Sequence, residues 1–545
     1  MKSKVWISLL ALTLALLVLF PACSSATPTA TASNPATTAT ATPVATSASK
    51  PPATTTAPTP KSGGVLKVGV SSDAVAIGNP GISSQTNVDA FLSRPAVERV
   101  CSVDEQGKTV PWLVESIDGD YSALAITEHI RKGVRFSDGT DLNADAFIWN
   151  YQLNIDNKSS NTALVKSLEK IDDYTIKVNL KEWDADAAFN VSSIYIVSPT
   201  AWQKNGKDWG MQNPVGTGPF KLASRQPDTL IKYVKNTDYW QKGKPALDEL
   251  DLVIIKDPVT RMAAFKAGEI DIDLDPTFDQ AKDMKNDPKY TLQVDHGAGS
   301  FRLGPDGGNA DSPMANIKVR QAIAYAIDRQ ALVDSVFNGF AVVATQWNPP
   351  GTWSYNPDLK GYAYDPEKAK SLLKEAGYDA NNPLKTTLIG QNTDWGPITL
   401  QAIQNMLAKV NIQADVNTLA LPALSTVWNK GWKNGIGIRQ LPPAPFMLSW
   451  DCSYVVYSNR ATWVSLLNDP ALDALAHKMN SAPDLATRTP LAWQVMDMLY
   501  YQDVQQIPVL ISDALAAKYP YAKDEGIYTT PLTGEWHPEN GWLNK

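Results

Sequence analysis

Apolar positions divide the chain into three unequal stretches. Val5 to Phe20 is an uncharged apolar run behind Lys2 and Lys4, and Ser24 to Ser62 is built almost wholly of Thr, Ala, Pro and Ser. From Gly63 onward, alternating and helical periodicities follow one another to the end of the chain. Gly64–Val70 reads as a strand with a Gly-Gly start. Val110–Ser116 leads into a predicted strand pair, Leu124–Ile130 and Lys132–Phe136, followed by a turn at Ser137-Asp138-Gly139-Thr140. Asn143 or Asp141 then caps a helix carrying Ala146, Phe147 and Trp149. After the turn at Asp172-Asp173, the chain alternates again to Val178. Val319, Ile323, Ala326 and Ile327 recur at helical spacing, which predicts one buried face with Asp328-Arg329 near its end. Asp365 and Pro366 occupy cap and first-turn positions of a further helix, which Gly377 ends. Strands and helices mixed in this way predict an α/β or α+β body.

The first apolar run is shorter than the ~20 residues a spanning helix needs. With its positive head it fits an export signal over 1–22. Pro21-Ala22-Cys23 resembles the bacterial lipobox, which implies that Cys23 is acylated and becomes the first mature residue. Phe20 stands where that pattern usually has an aliphatic residue, so an ordinary signal peptide cut nearby and an uncleaved anchor stay open as alternatives. The stretch from Ser24 to Ser62 has only Lys50 and Lys61 charged and no aromatic residue. It cannot bury enough apolar area to offset its chain entropy. Residues 23–62 are therefore expected to form a disordered tether spanning on the order of 35 Å, which keeps the globular body near a membrane partner.

Composition narrows the function. The 545 residues are 43% hydrophobic, enough for two or three domain-sized units. Forty-nine basic against 56 acidic residues leave a net charge of −7, which argues against a nucleic-acid partner. Cys23, Cys101 and Cys452 are too few for a disulfide scaffold and have no metal or redox spacing. His129, His296, His477 and His537 are scattered, with no paired metal motif. Gly107-Lys108-Thr109 imitates a phosphate loop but has Ser102 where its first glycine belongs, and Gly216-Thr217-Gly218 lacks a third glycine at dinucleotide-fold spacing. Asp271, Asp273 and Asp275 alternate like a calcium loop, yet Pro276 replaces the required glycine, so an edge-like strand with one polar face is the better reading. No nucleophile elbow is present. No catalytic residue, cofactor or metal site is expected. A surface-anchored hydrolase is the alternative, with an adhesive lipoprotein behind it; the first lacks a nucleophile–base constellation and the second lacks repeats.

The order of motifs from Gly63 onward resembles a known family. The Gly-Gly-x-Leu start, Pro111-Trp112-Leu113, Arg131-Lys132-Gly133-Val134, Asn213-Pro214-Val215-Gly216-Thr217-Gly218-Pro219-Phe220, Val319-Arg320-Gln321-Ala322 and Tyr364-Asp365-Pro366 are similar to the family 5 solute-binding proteins, the oligopeptide, dipeptide and nickel receptors of ABC importers. The resemblance implies a two-lobed periplasmic-binding-protein fold with an extra subdomain in its first lobe and a ligand cleft between lobes. It implies a first lobe from 63–108, 213–295 and 505–545, an extra subdomain over 109–212, and a second lobe over 296–504. Hinges are expected near Thr291–Gly299 and Val504–Pro508. The implied protein is a monomer on the outer face of the cytoplasmic membrane, capturing a peptide or other small polar solute for an ABC permease.

In peptide-binding members of that family a W-x-x-D-Y-like segment lines the cleft, and its Asp pairs with the peptide amine. Trp450 and Tyr454 match, but Ser453 stands at the Asp position. Asp451 would share a face with Ser453 on a strand and is the possible substitute. A hydroxyl cannot pair a buried ammonium, so amine recognition is expected to be weakened or lost. Ser71, Ser72 and Asp73 follow the first strand at a position that reaches the cleft in this family. Arg439 is a possible anion partner, though a surface position is its more frequent fate. Trp395 sits in a polar loop, where a large ring wants a partner. Cys101 and Cys452 are expected to be separate buried thiols.

Overall fold

In the computed structural model the described residues are 60–83, 86–104, 108–393, 395–441, 448–460, 462–523, 527 and 536–545. The export segment 1–22, Cys23 and the tether as far as Thr59 lie outside them. Among the described residues no helix is long and apolar enough to cross a membrane.

The alternation after Gly64 becomes β1 (Val65–Val70), with Leu66, Val68 and Val70 buried. A separate antiparallel sheet follows, made from β2 (Val114–Asp120), β3 (Ala125–Ile130), β4 (Val165–Asp172) and β5 (Thr175–Leu180) in the order β2-β3-β5-β4. Helix α1 (Ala144–Asp156) contributes Phe147 and Tyr151 to a core with Ile126, Ile176 and Val178. The Asn143 side chain caps α1 by accepting from the Ala146 N–H, whereas Asp141 pairs with Arg135. The strand expected over Lys132–Phe136 is instead a turn, because Gly133 takes a left-handed φ of 78° and Arg135 keeps only an isolated bridge to Asp141.

The remaining strands are β6 (Phe220–Gln226), β7 (Leu230–Lys235), β8 (Glu249–Ile254), β9 (Ile272–Leu274), β10 (Thr291–Pro305), β11 (Ala341–Val343), β12 (Leu384–Gln391), β13 (Ile412–Leu419), β14 (Gly435–Leu441) and β15 (Ile507–Lys518). With β1 they form one sheet in the order β6-β7-β8-β1-β9-β15-β10-β14-β12-β13, and β11 pairs with β15. Toward the β6 end, Leu66, Val68, Phe220, Leu252 and Ile272 form one core; toward the β13 end, Phe301, Leu303, Leu388, Ile438 and Leu510 form another. The long strands β10 and β15 run antiparallel between the two cores, and their register breaks between Asp295 and Gly299. Such a break bends and twists the strand that carries it.

Two further expectations change here. The helix read over Val319–Arg329 is two helices, α2 (Ile317–Ala326) and α3 (Arg329–Ser335). Ile327 between them is extended, and the Asp328 side chain caps α3 on the Ala331 N–H. Asp271–Asp275 is not an edge, because β9 pairs with both β1 and β15, and Asp273 is buried in an ion pair with Arg261. The helix after Tyr364 keeps its expected ends: α4 (Pro366–Glu375) is capped by Asp365 on the Lys368 N–H, and Gly377 turns out of it at a φ of 93°. Gly216 and Gly218 are set by close approach, since an added Cβ would lie 2.3 Å from the Ala96 carbonyl oxygen and 2.6 Å from that of Pro95. Cys101 and Cys452 are not joined; they are buried in different cores.

Candidate functional site: two arginines on one sheet face

Arg302 of β10 and Arg439 of β14 are direct partners across an antiparallel pair, so both side chains leave the same face of the sheet. Their neighbours Phe301, Leu303 and Ile438 alternate onto the opposite face and into the core there. On the arginine face Gly304 and Gly437 let aromatic rings lie against the backbone: an added Cβ would sit 2.5 Å from the Trp463 ring and 2.6 Å from the Trp428 ring. The Arg302 guanidinium lies 4.3 Å from the Trp347 ring centre, and that of Arg439 lies 5.6 Å from Trp463 and 5.8 Å from Tyr454.

Helix α5 (Gly396–Ala408) packs on the opposite, core face, whereas α6 (Leu448–Val455) and α7 (Leu485–Asp497) complete the surroundings of the arginines. Helix α6 brings Asp451 to the two arginines. Its carboxyl is fully buried, and burial pushes its pKa up to about 7 against the pull of Arg302 and then Arg439. Burial lowers Arg302, and burial together with the Arg302 charge brings Arg439 down to about 10, so both stay cationic at neutral pH. Among the described residues, Arg302 Nη1 and Nη2, Arg439 Nη1, Asp451 Oδ2, Ser300 Oγ and the Tyr500 hydroxyl are buried without a hydrogen-bond partner. Each such group costs about 1–3 kcal/mol if it stays unmet. Their concentration at one place calls for a guest molecule or ordered water.

The Trp450–Tyr454 segment is helical, which overturns the strand-face argument for Asp451. At about 100° per residue, Asp451 and Ser453 point in different directions, so Asp451 does not stand in for an acid at 453. Trp450 lies in α6 with its side chain outside the described positions; Tyr454 is half-buried beside Arg439. Arg439 itself is not a surface residue. Trp395 finds its partner in Phe301, edge-on at 4.5 Å, which puts it on the sheet face away from Arg439. Ser71 donates to Asp275, and Asp73 accepts from Arg225 and the Asp228 N–H, so this cluster is occupied by neighbours near the end of β1, with Ser72 half-buried between them. The sequence reading missed Arg302, Trp347 and Tyr500. The one available signal was a charge between apolar residues in Phe301-Arg302-Leu303.

It also missed the contact between the 109–212 region and the helices beside the arginines. The buried Arg488 of α7 donates to both oxygens of Asp186, with Nη2 to Oδ2 at 2.9 Å. The Ser449 N–H donates to Asp186 at 2.9 Å and its hydroxyl to Asp184 at 2.7 Å. Trp183 and the Ala185 N–H add bonds to the carbonyls of Ala482 and Asn480. Burial, then the Asp186 charge, pushes Asp184 up to about 6. Ser449 is two residues from Asp451, so this seam adjoins the arginine cluster.

Residues 108–437 match the model for bacterial extracellular solute-binding proteins, family 5. The chain belongs to that family. Family 5 proteins are the solute-binding proteins of ABC importers, and the mixed α/β fold with two lobes is theirs. The glutathione-binding protein GsiB of Shigella flexneri is 30% identical over 468 residues, 81% of this chain and 86% of the relative. Heme-binding protein A of Haemophilus influenzae is 37% identical over 296 residues, 49% of this chain and 54% of the relative. Among solved structures, NikA from Brucella suis in complex with Fe(III)-EDTA superposes with a TM-score of 0.80 at 22% identity, covering 88% of this chain and all of that one. The oligopeptide-binding protein AppA from Bacillus subtilis superposes at 0.75 and 23% identity, over 89% of this chain and all of that one.

Proposed function

We propose that this family 5 protein encloses a peptide or other small polar solute between two lobes and hands it, unaltered, to its permease. The observation that carries the reading is the Asp184/Asp186–Ser449/Arg488 seam, where side chains from two distant parts of the chain bury a charged contact. A contact made only when the lobes meet is what a two-state receptor needs, because a ligand shifts the population by its differential affinity for the closed form. The first lobe comprises 63–108, 213–295 and the C-terminal segment, with 109–212 as its extra subdomain; the second comprises 296–504. Val504, Ile507 and Leu510 share a core with Phe301 and Leu303, which supports a second lobe that reaches slightly past 504. The hinge then lies where β10 breaks register between Asp295 and Gly299, opposite Ser512 to Ala514 of β15. Lipidation of Cys23 tethers the monomeric protein to the outer face of the cytoplasmic membrane.

Native mass spectrometry of the freshly purified protein, followed by tryptophan-fluorescence titration with peptides, glutathione, heme and a nickel chelate, tests this. The expected result is a saturable change with one solute class, recovery of that solute unchanged, and a smaller radius of gyration by small-angle scattering. Appearance of a reaction product, or saturable binding with no change in radius, contradicts it.

A further inference from the structure

We infer that lobe closure takes up one proton at the Asp184–Ser449–Asp186 contact, so that the receptor closes more readily in mildly acidic surroundings than in neutral ones. This goes beyond the receptor reading, to its regulation, and rests on it. The Ser449 hydroxyl oxygen lies 2.7 Å from Asp184 Oδ1 and 2.6 Å from Asp186 Oδ2. Both are distances of a bond between a hydroxyl and a carboxyl group, yet a hydroxyl has one hydrogen to give. With both acids ionised, the hydroxyl serves one of them and sets lone pairs against lone pairs at the other. With a proton on one acid, that acid donates to the Ser449 oxygen and the Ser449 hydrogen turns to the other. Both contacts are then made.

The proton comes from solvent and belongs on Asp184 Oδ1. Asp186 accepts from both terminal nitrogens of the buried Arg488 and from the Ser449 N–H, which holds it ionised. Asp184 accepts from the Asp186 N–H at 2.8 Å and has no ion-pair partner among the described residues. The elements packed around it bring Asp451 and Cys452 of α6, Tyr457 just beyond α6, and His477, stacked on Tyr457 and beside Asp473 in the helix Pro470–Asn480. Arg488 of α7 is the fixed cation here, and Asp186 takes both of its terminal nitrogens. Trp183 Nε1 and the Ala185 N–H donate to the carbonyls of Ala482 and Asn480, so Asp184 is held against Ser449 from both sides. Burial, then the Asp186 charge, raises Asp184 to about 6, in keeping with a proton there. With the lobes apart, water reaches the carboxyl and its ordinary value of about 3.9 returns. Closure is therefore favoured most at the acid end, loses that support as pH rises from about 4 to about 6, and is level above.

The test is small-angle neutron scattering of the full chain, freed of solute, in contrast-matched detergent across that range, with infrared spectra of the same samples. The ratio of closed to open protein should fall by up to about tenfold per pH unit between about 4 and about 6, read as a growing radius of gyration. A protonated-carboxyl infrared band should fade over the same range in the parent. Asp184→Asn should lack that band and hold one radius throughout, and Asp184→Ala serves the same end if the amide variant fails to fold. A parent radius that does not move with pH, or a change that survives in the Asp184 variants, overturns the proton link and leaves the receptor reading standing. The receptor reading fails on a different result: equal radii for solute-bound and solute-free protein.

Discussion

Two pairs of inward-facing arginines divide the labour in this protein. Arg329 donates to the carbonyls of Pro508, Ala324, Ile327 and Tyr362, and Arg320 donates to those of Met314, Ala315 and Asp503. Arg302 is buried as well and Arg439 half-buried, yet among the described residues Arg302 leaves both terminal nitrogens unmet and Arg439 leaves one. Guanidiniums bonded to several carbonyls tie segments together; open ones leave donors for a guest molecule or ordered water. Arg302 is as buried as Arg320 and Arg329 but unequally satisfied, and that difference separates structure from function more sharply than residue type does.

The contrast predicts opposite consequences of mutation. Arg329→Ala should cost about 4 kcal/mol in urea unfolding, since several charge-assisted bonds go at once. Arg302→Gln should change ligand-free stability by less than about 1 kcal/mol, because it removes an unmet charge. Equal losses would break the comparison. The seam comes next: Asp186→Ala leaves Arg488 buried without its acid and should cost about 3 kcal/mol, with a larger radius in solution when solute is bound.

The pH dependence sharpens the same point. Asp451 titrates at about 7 when folded, against an ordinary value near 3.9 in the unfolded chain. Between those values the folded state holds a proton that the unfolded state has released, so stability falls as pH rises from about 4 to about 7 and is then level. Asp451→Asn should flatten that fall, whose slope is at most about 1.4 kcal/mol per pH unit. The comparison with the parent isolates it from Glu128 and Asp295, which burial also lifts to about 7. Smallest of all, Asp365→Ala removes the α4 cap and should cost about 1 kcal/mol, with the binding site untouched.

What the sequence made legible was local. The alternation of β1, the cap at Asn143 and the Asp365-to-Gly377 helix all follow from neighbours in the chain. The site was not local. Arg302 meets Arg439 across a strand pair, and Asp186 meets Arg488 over a separation of 302 residues. No periodicity reports such pairings. The Trp450–Tyr454 spacing pointed to a segment beside the two arginines, but a motif match without its secondary structure put Asp451 on a strand, whereas α6 turns it inward to two cations.

The most direct measurement is a high-resolution crystal structure of the protein with the solute recovered from it. That solute is expected between the two lobes, enclosed by the Asp186–Arg488 seam. A solute bound elsewhere, or lobes held apart in its presence, would contradict the receptor reading.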